Sequence, residues 1–364
     1  MKRRLDYLDS VRALAAMAVA FFHFAMGLEP TATGVQQKIL QFVTDGIDIG
    51  KLGVVTFFMV SGFVIPISFK FDRPQKVAVQ DFLIGRFFRL YPAYWLSIAL
   101  VFLVGYGGSF ARCSPKRLLL NITMFQQFFG GTSINLMGLY WTLQIEWMFY
   151  ILCLGLFLFG WLSSPKRLLQ SQLVLLASAV LMAVLRFKTH HNLPIAAPLG
   201  LCVMLCASLW RMVVLEHRAE AVRSMRIAFA SFLVTIPLIA RLAYADGWHR
   251  YTLVYWLAIG GFWLLSTRVK LSWRPLAIIG RASFSLYLFN NFIRMLLIRI
   301  APPERVAPHA PVLYIAVSVL ISSLLAIPIY ELVENPCIRL GKKLARKLHQ
   351  PAPSAVEKTA TQFV

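Results

Sequence analysis

The sequence predicts an all-α fold, a polytopic integral membrane helical bundle with about ten transmembrane helices. Hydrophobic residues make up 59% of the 364-residue chain and charged residues only 14%. A soluble domain does not need so apolar a composition. Apolar segments long enough to cross a bilayer also recur from end to end. We therefore expect one membrane domain over residues 1–345, followed by a disordered tail over 346–364 that is rich in Pro, Ser and Thr.

Ten apolar segments are predicted to span the membrane. They cover residues 9–28, 51–69, 90–106, 139–161, 168–185, 194–210, 227–245, 251–267, 277–298 and 312–333. The stretch 118–129 is too short to span and is predicted to be re-entrant or interfacial. Charged residues near the start, with no small-residue cleavage site after them, predict an uncleaved first helix.

The distribution of Lys and Arg predicts the orientation, because cytoplasmic connections carry an excess of both. With the N-terminus inside, inner segments hold 24 of these residues and outer segments hold 12, so both termini are predicted to be cytoplasmic.

The net charge of +22 lies in short clusters between apolar segments, which argues against a nucleic-acid partner. The five cysteines include no CxxC pair, so neither a disulfide framework nor a metal site is predicted.

The first predicted span carries two costly side chains, Arg12 and His23, eleven positions apart. Eleven helical residues make three turns plus about 20°, so both side chains lie on one face, about 16 Å apart along the axis. A face that is polar at two depths suits a site that reaches across the membrane. A structural alternative stays open, in which Arg12 pairs with Asp9 and His23 bonds a backbone carbonyl.

Three further stretches place polar residues in or beside predicted spans. Ser61 and Gly62 permit either close helix packing or a polar contact. Arg86 and Arg89, at the predicted inner mouth of the third span, fit a phosphorylated ligand, with anchoring to lipid headgroups as an equal alternative. Glu146 is the one acidic residue in its apolar run, and pairing with an Arg on another helix is its structural alternative.

Two late stretches complete the pattern. Asn290 and Asn291 are predicted to lie about 15 Å past the inner end of the ninth span, near the middle of the membrane. Glu334 precedes Asn335 and Pro336 at the end of the last span, where Pro336 as a helix stop is a sufficient interpretation.

Taken in order, these stretches resemble the acyltransferase-3 family of integral membrane acyltransferases. The resemblance rests on YLDSVRALAAMAVAFFHF, FFMVSGFVI, RFFRLYPAYW, YWTLQIEWMFY, SFSLYLFNN and YELVENP, over roughly residues 5–340. Each motif is weak alone, and six in order are specific. Asn290 and Asn291 stand where the family often has a second His, so no role of that His is carried over. Trp147 stands where the family often has a second acidic residue, so only Glu146 is carried over.

The resemblance implies an enzyme of the bacterial inner membrane that moves an acetyl group from cytoplasmic acetyl-CoA to a sugar hydroxyl of an exopolysaccharide or other surface glycan precursor, often a lipid-linked one. His23 is then the general base on that hydroxyl, or a transient acyl carrier. Arg12 binds the donor or stabilises oxyanion charge, and Glu146 orients His23 or an Arg. The residues implied for the donor are Arg86, Arg89 and Ser61, and those implied for the acceptor are Trp141, Tyr287, Asn290 and Asn291.

No permanently bound cofactor is expected, and membrane lipids and polysaccharide synthesis machinery are the further expected partners. Some family members carry a fused extracytoplasmic domain, and no second folded domain is predicted here, which favours a dedicated exopolysaccharide enzyme of the xanthan type.

Two other classes of protein stay open. One is a transporter or flippase for a lipid-linked sugar or acyl group, with Arg, His and Glu as a proton relay. The other is a structural partner in a synthesis complex. The Arg86 and Arg89 pair favours the CoA-dependent enzyme.

Overall fold

The structure is a computed structural model that describes residues 5–28, 32–126, 135–306 and 309–348. This described part of the chain is 85% helical and contains no strand, so the all-α prediction is confirmed. The helices are α1 Asp6–Leu28, α2 Gly34–Gln41, α3 Ile49–Val64, α4 Gln75–Leu100, α5 Pro115–Ile122, α6 Trp141–Leu158, α7 Pro165–Thr189, α8 Ala196–Val214, α9 Ala219–Tyr244, α10 Trp248–Leu264, α11 Arg274–Arg281, α12 Ser283–Ile300, α13 Pro303–Val306, α14 Pro311–Ile329 and α15 Asn335–Leu348.

Helices long and apolar enough to cross a membrane recur through the described ranges. By length and composition there are eight such stretches, or nine if α11 and α12 form one broken span. Each of the ten predicted spans coincides with helix. The two predicted over 227–245 and 251–267 share one stretch, Ala219–Val269, which counts once although a short 3-10 turn at Ala245–Gly247 divides it into α9 and α10. The chain is therefore a multi-pass membrane protein.

Two predicted boundaries differ from the structure, and one predicted segment is described only in part. The ninth span is not one helix over 277–298, because the chain bends by 73° between α11 and α12. Within the segment 118–129, α5 ends at Ile122 and Met124 takes a left-handed φ of 69°. Residues 127–129 of that segment lie outside the described ranges. The predicted tail boundary at residue 346 falls inside α15, which continues to Leu348. Residues 349–364 of that tail also lie outside the described ranges.

Connections that alternate along the chain meet at opposite ends of the bundle. At one end, which we call the basic end, Arg218 donates to the carbonyl oxygen of Ser163 at 2.6 Å, and the segments near residues 70 and 342 line one cavity. At the other, the far end, Arg250 donates to the side chain of Asp45 at 3.1 Å. This alternation matches the predicted division into inner and outer connections.

Helix α1 lies in the middle of the bundle and packs against α3, α11, α12 and α14. Two of these helices approach it very closely. A Cβ on Gly280 of α11 would lie 1.7 Å from the carbonyl oxygen of Asp9, and one on Gly53 of α3 would lie 2.6 Å from that of Ala15. Only glycine allows such approaches. This packing holds the helix that carries Arg12 and His23 on more than one side.

Candidate active site

Three adjoining cavities run through the bundle from the basic end to the far end. The basic cavity lies between α4 and α15, with an empty volume of about 1190 Å³. The central cavity is smaller, about 700 Å³, and shares Arg86 and Arg89 with the basic cavity. The histidine cavity, about 1230 Å³, surrounds His23 and shares Val54 and Tyr287 with the central cavity. We call the three cavities together the passage; its two end cavities are larger than the central one.

The basic cavity gathers cations from separate parts of the chain. Its basic lining residues are Lys70, Arg73, Arg86, Arg89, Lys342 and Arg346. Asp81 is the one acid among the described residues that line it, and it pairs with Lys70 at 2.5 Å and Arg73 at 3.1 Å. Arg86 donates to the Ser68 hydroxyl. The remaining excess of cations suits a ligand with several phosphate groups.

The central cavity is built on charges of both signs. Arg12, Arg86, Arg89 and Glu146 line it. Glu146 lies within electrostatic range of Arg12 and Arg89 and accepts a hydrogen bond from the Tyr150 hydroxyl. Of the two partners implied for Glu146, the structure therefore brings it to arginines. Asp9 also lies within electrostatic range of Arg12, so the structural alternative for Arg12 stays open beside the cavity.

Glu334 is a second carboxylate at this site, and the sequence interpretation missed it. It is 2% exposed, accepts a hydrogen bond from Ser285 Oγ at 3.0 Å and lies within electrostatic range of Arg12 and Arg89. Pro336 is not the helix stop that was expected, because it occupies the first turn of α15, where proline is tolerated. A π-helical turn, Tyr330–Glu334, precedes α15, and such turns are frequent at functional sites. The available signal was an acid inside the motif YELVENP, directly after an apolar run.

In the histidine cavity, His23 is held by Asn290. Asn290 Nδ2 donates to the carbonyl oxygen of Tyr287 at 2.8 Å, so its Oδ1 is the atom that faces His23. His23 Nδ1 lies 2.9 Å from that oxygen and must therefore donate. In a neutral imidazole, the other nitrogen then carries the lone pair. Nε2 of His23 has no hydrogen-bond partner among the described residues and can accept a proton.

The other predicted acceptor residues divide into two groups. Trp141 and Asn291 line the histidine cavity, as substrate contact requires. Asn290 is fully buried and lines none of the three cavities, so its position fits orientation of His23 rather than substrate contact. The Tyr287 hydroxyl donates to the carbonyl oxygen of Leu139 at 2.9 Å and lies 2.6 Å from Thr142 Oγ1, which leaves its ring as a wall between the central and histidine cavities.

For Ser61 and Gly62 the sequence left two alternatives, close helix packing and a polar contact. Ser61 lines the central cavity. Gly62 faces α8, where a Cβ would lie 2.1 Å from the carbonyl oxygen of Met204, and its own carbonyl accepts a hydrogen bond from Ser208 at 2.8 Å. Close packing therefore holds for Gly62, while Ser61 can contact a ligand.

The fold and the passage together define a multi-pass membrane protein with a polar site inside its bundle. The family model described as "Acyltransferase domain" matches residues 5–330. The chain belongs to this family, the acyltransferase-3 family, and the resemblance drawn from the six motifs is confirmed.

The curated relatives include proteins named as acetyltransferases. O-acetyltransferase OatA of Staphylococcus aureus is 25% identical in an alignment 382 positions long that covers 94% of this chain and 58% of the relative. Peptidoglycan O-acetyltransferase OatA of Listeria monocytogenes is 29% identical in an alignment of 212 positions that covers 51% of this chain and 31% of the relative. Exopolysaccharide production protein ExoZ of Rhizobium meliloti is 27% identical in an alignment of 311 positions that covers 81% of this chain and 91% of the relative. No solved structure matches this chain.

Proposed function

We propose that this protein is an O-acetyltransferase of the bacterial inner membrane that moves an acetyl group from acetyl-CoA to a sugar hydroxyl of a surface glycan precursor. The observation that carries the proposal is the passage, with a cluster of cations at one end and a histidine with a free Nε2 at the other. The names of the relatives, O-acetyltransferase and exopolysaccharide production protein, support the reaction and the acceptor class.

The donor enters from the basic end, which we place in the cytoplasm on the strength of the Lys and Arg excess. Lys342 and Arg346 bind the 3′-phosphate of CoA, while Arg86 and Arg89 bind the diphosphate where the basic cavity meets the central cavity. The pantetheine arm is long and thin, so it suits the narrow central cavity, and it carries the thioester toward the histidine cavity.

The acceptor hydroxyl lies in the histidine cavity beside His23. Nε2 takes the hydroxyl proton as the oxygen attacks the thioester carbon, and the carbon–sulfur bond then breaks. The acetyl group stays on the sugar oxygen, and the CoA thiolate takes up the proton that Nε2 received from the hydroxyl, which returns His23 to its neutral form as CoA leaves toward the basic end. Asn290 is a positioning residue in this scheme, because it keeps the proton on Nδ1 and the lone pair on Nε2.

Arg12 lines the central cavity, about 16 Å along α1 from His23, and binds the donor there. Glu146 and Glu334 stabilise Arg12 and Arg89 in the absence of donor, since buried cations without counter-charges are costly. Ser61 contacts the pantetheine arm in the same cavity.

Radiolabelled acetyl-CoA given to the purified protein tests the function. The proposal predicts label on de-O-acetylated glycan oligosaccharides and release of free CoA. A transporter would move substrate without releasing CoA, and a structural partner would do neither. Label retained on a peptide that contains His23 when acceptor is omitted would indicate that His23 carries the acetyl group transiently.

A further inference from the structure

Arg294 is a cation in the histidine cavity that the scheme above does not use. It lies on α12, and its Nε is buried without a hydrogen-bond partner. Among the described residues no carboxylate pairs with it. Lys51 in the same cavity differs, because it pairs with Asp48 at 2.9 Å. Arg294 is one of the 12 Lys and Arg residues of the predicted outer segments.

The position of Arg294 follows from the register of two helices. His23 on α1 faces Asn290 on α12 at 2.9 Å. One turn further along both helices, Gly27 faces Arg294, and a Cβ on Gly27 would lie 3.0 Å from Arg294 Nη1. The guanidinium therefore lies about 6 Å beyond the catalytic histidine along the helix axes. The absent side chain at Gly27 leaves the space that it occupies.

We propose that Arg294 binds an anionic group of the acceptor, a carboxylate on the glycan or a phosphate of its lipid carrier, one sugar or less from the hydroxyl that is acetylated. The assignment rests on the proposed function for the identity of the acceptor. An oxyanion would supply the partner that the guanidinium lacks, in the bidentate geometry that Arg favours. Asn291 lies three residues before Arg294 on the same face of α12, and Trp141 lines the same cavity, so both can contact the sugar that carries the charge.

Binding of the acceptor is measured on a variant that does not transfer acetyl groups, so that an effect on this subsite is separated from an effect on the reaction. The probes are oligosaccharides from the surface polysaccharide of the bacterium that makes this protein, after alkaline de-O-acetylation, and the same oligosaccharides with their carboxyl groups reduced to alcohols. Each is used free and as the lipid-linked form extracted from membranes. Equilibrium binding of all four is measured on His23→Ala and on the His23→Ala, Arg294→Gln double variant. Arg299→Gln is the matched control, because Arg299 lies on the same helix but is exposed and lines none of the cavities.

We expect Arg294→Gln to weaken binding of the anionic probe about 10- to 100-fold, as loss of a hydrogen bond to a charged group does. If Arg294→Gln weakens binding of the native oligosaccharides but not of the carboxyl-reduced ones, the subsite binds the sugar carboxylate. A deficit confined to the lipid-linked forms assigns it to the phosphate. An equal deficit on all four probes, no deficit on any, or no measurable binding of any probe overturns the proposal. Absence of acetyl transfer by the wild type, with charge-dependent binding intact, would instead count against the proposed function alone.

Discussion

The two ends of the passage hold their charges in different ways. Toward the basic end, Arg12 and Arg89 lie within electrostatic range of Glu146 and Glu334. Toward the far end, His23 has a neutral amide as its partner. These carboxylates balance the buried arginines, while the excess of cations in the basic cavity is available to bind a polyanion. A histidine with one nitrogen committed and the other free is suited to moving a proton. The difference supports the proposal that the donor binds at one end and that the proton is transferred at the other.

The largest effect is expected at His23. His23→Ala should lower acetyl transfer by about 10²- to 10⁴-fold, the usual loss when a general base is removed. Binding of acetyl-CoA and the amount of protein in the membrane should stay near wild type, because the histidine cavity does not hold the CoA phosphates. His191→Ala is the matched control, since His191 is exposed and outside the passage. Transfer per inserted protein above about a tenth of wild type would contradict the assignment.

Arg86 tests the opposite end of the comparison. Arg86→Ala should weaken acetyl-CoA binding about 10- to 100-fold, and Arg86→Lys should recover only part of it because an ammonium cannot bind bidentately. Normal CoA affinity in the Ala variant would return Arg86 to a headgroup-anchoring role.

Arg89 needs a different design, because its loss leaves buried carboxylates uncompensated. Arg89→Ala alone should lower the amount of folded protein as well as the affinity for acetyl-CoA. Adding Glu334→Gln should restore the protein level but not the affinity. Recovery of both in the double variant would show that Arg89 is structural only.

Asn290 should show a smaller effect, confined to the chemical step. Asn290→Ala removes the oxygen that holds the proton on His23 Nδ1, so kcat should fall about 5- to 10-fold, as for one lost hydrogen bond. The Kd for acetyl-CoA should not change. A parallel loss of kcat, donor affinity and protein level would indicate that Asn290 stabilises the fold rather than positions His23.

The smallest effect is expected from the exposed cations of α15. Lys342→Gln with Arg346→Gln should raise the Kd for acetyl-CoA about two- to fivefold, the size expected of solvent-exposed charge pairs. Acetyl-dephospho-CoA lacks the 3′-phosphate and should bind both proteins equally. An equal change for the two donors would mean that these side chains do not contact that phosphate.

The sequence predicted the helical membrane fold well, because apolar segments and the family motifs are local signals. Of the ten residues that it assigned to the site, all but Asn290 line the passage. It did not predict the partners of those residues, since Asn290 reaches His23 from 267 positions away. Glu334 was assigned to a helix end because a neighbouring proline offered a simpler local explanation, and only packing shows that the carboxylate is buried among arginines. Arg294 was counted only among the outer basic residues, because packing alone shows that its side chain lines the histidine cavity.

The claim that donor and acceptor occupy opposite ends of one passage is tested most directly in sealed proteoliposomes. Acetyl-CoA, which does not cross the bilayer, is supplied outside, and de-O-acetylated oligosaccharides are supplied either outside or trapped inside. Vesicles with His23→Ala protein control for leakage. The account predicts labelled glycan mainly when acceptor and acetyl-CoA are on opposite sides. Labelling only of acceptor on the same side as acetyl-CoA would contradict it.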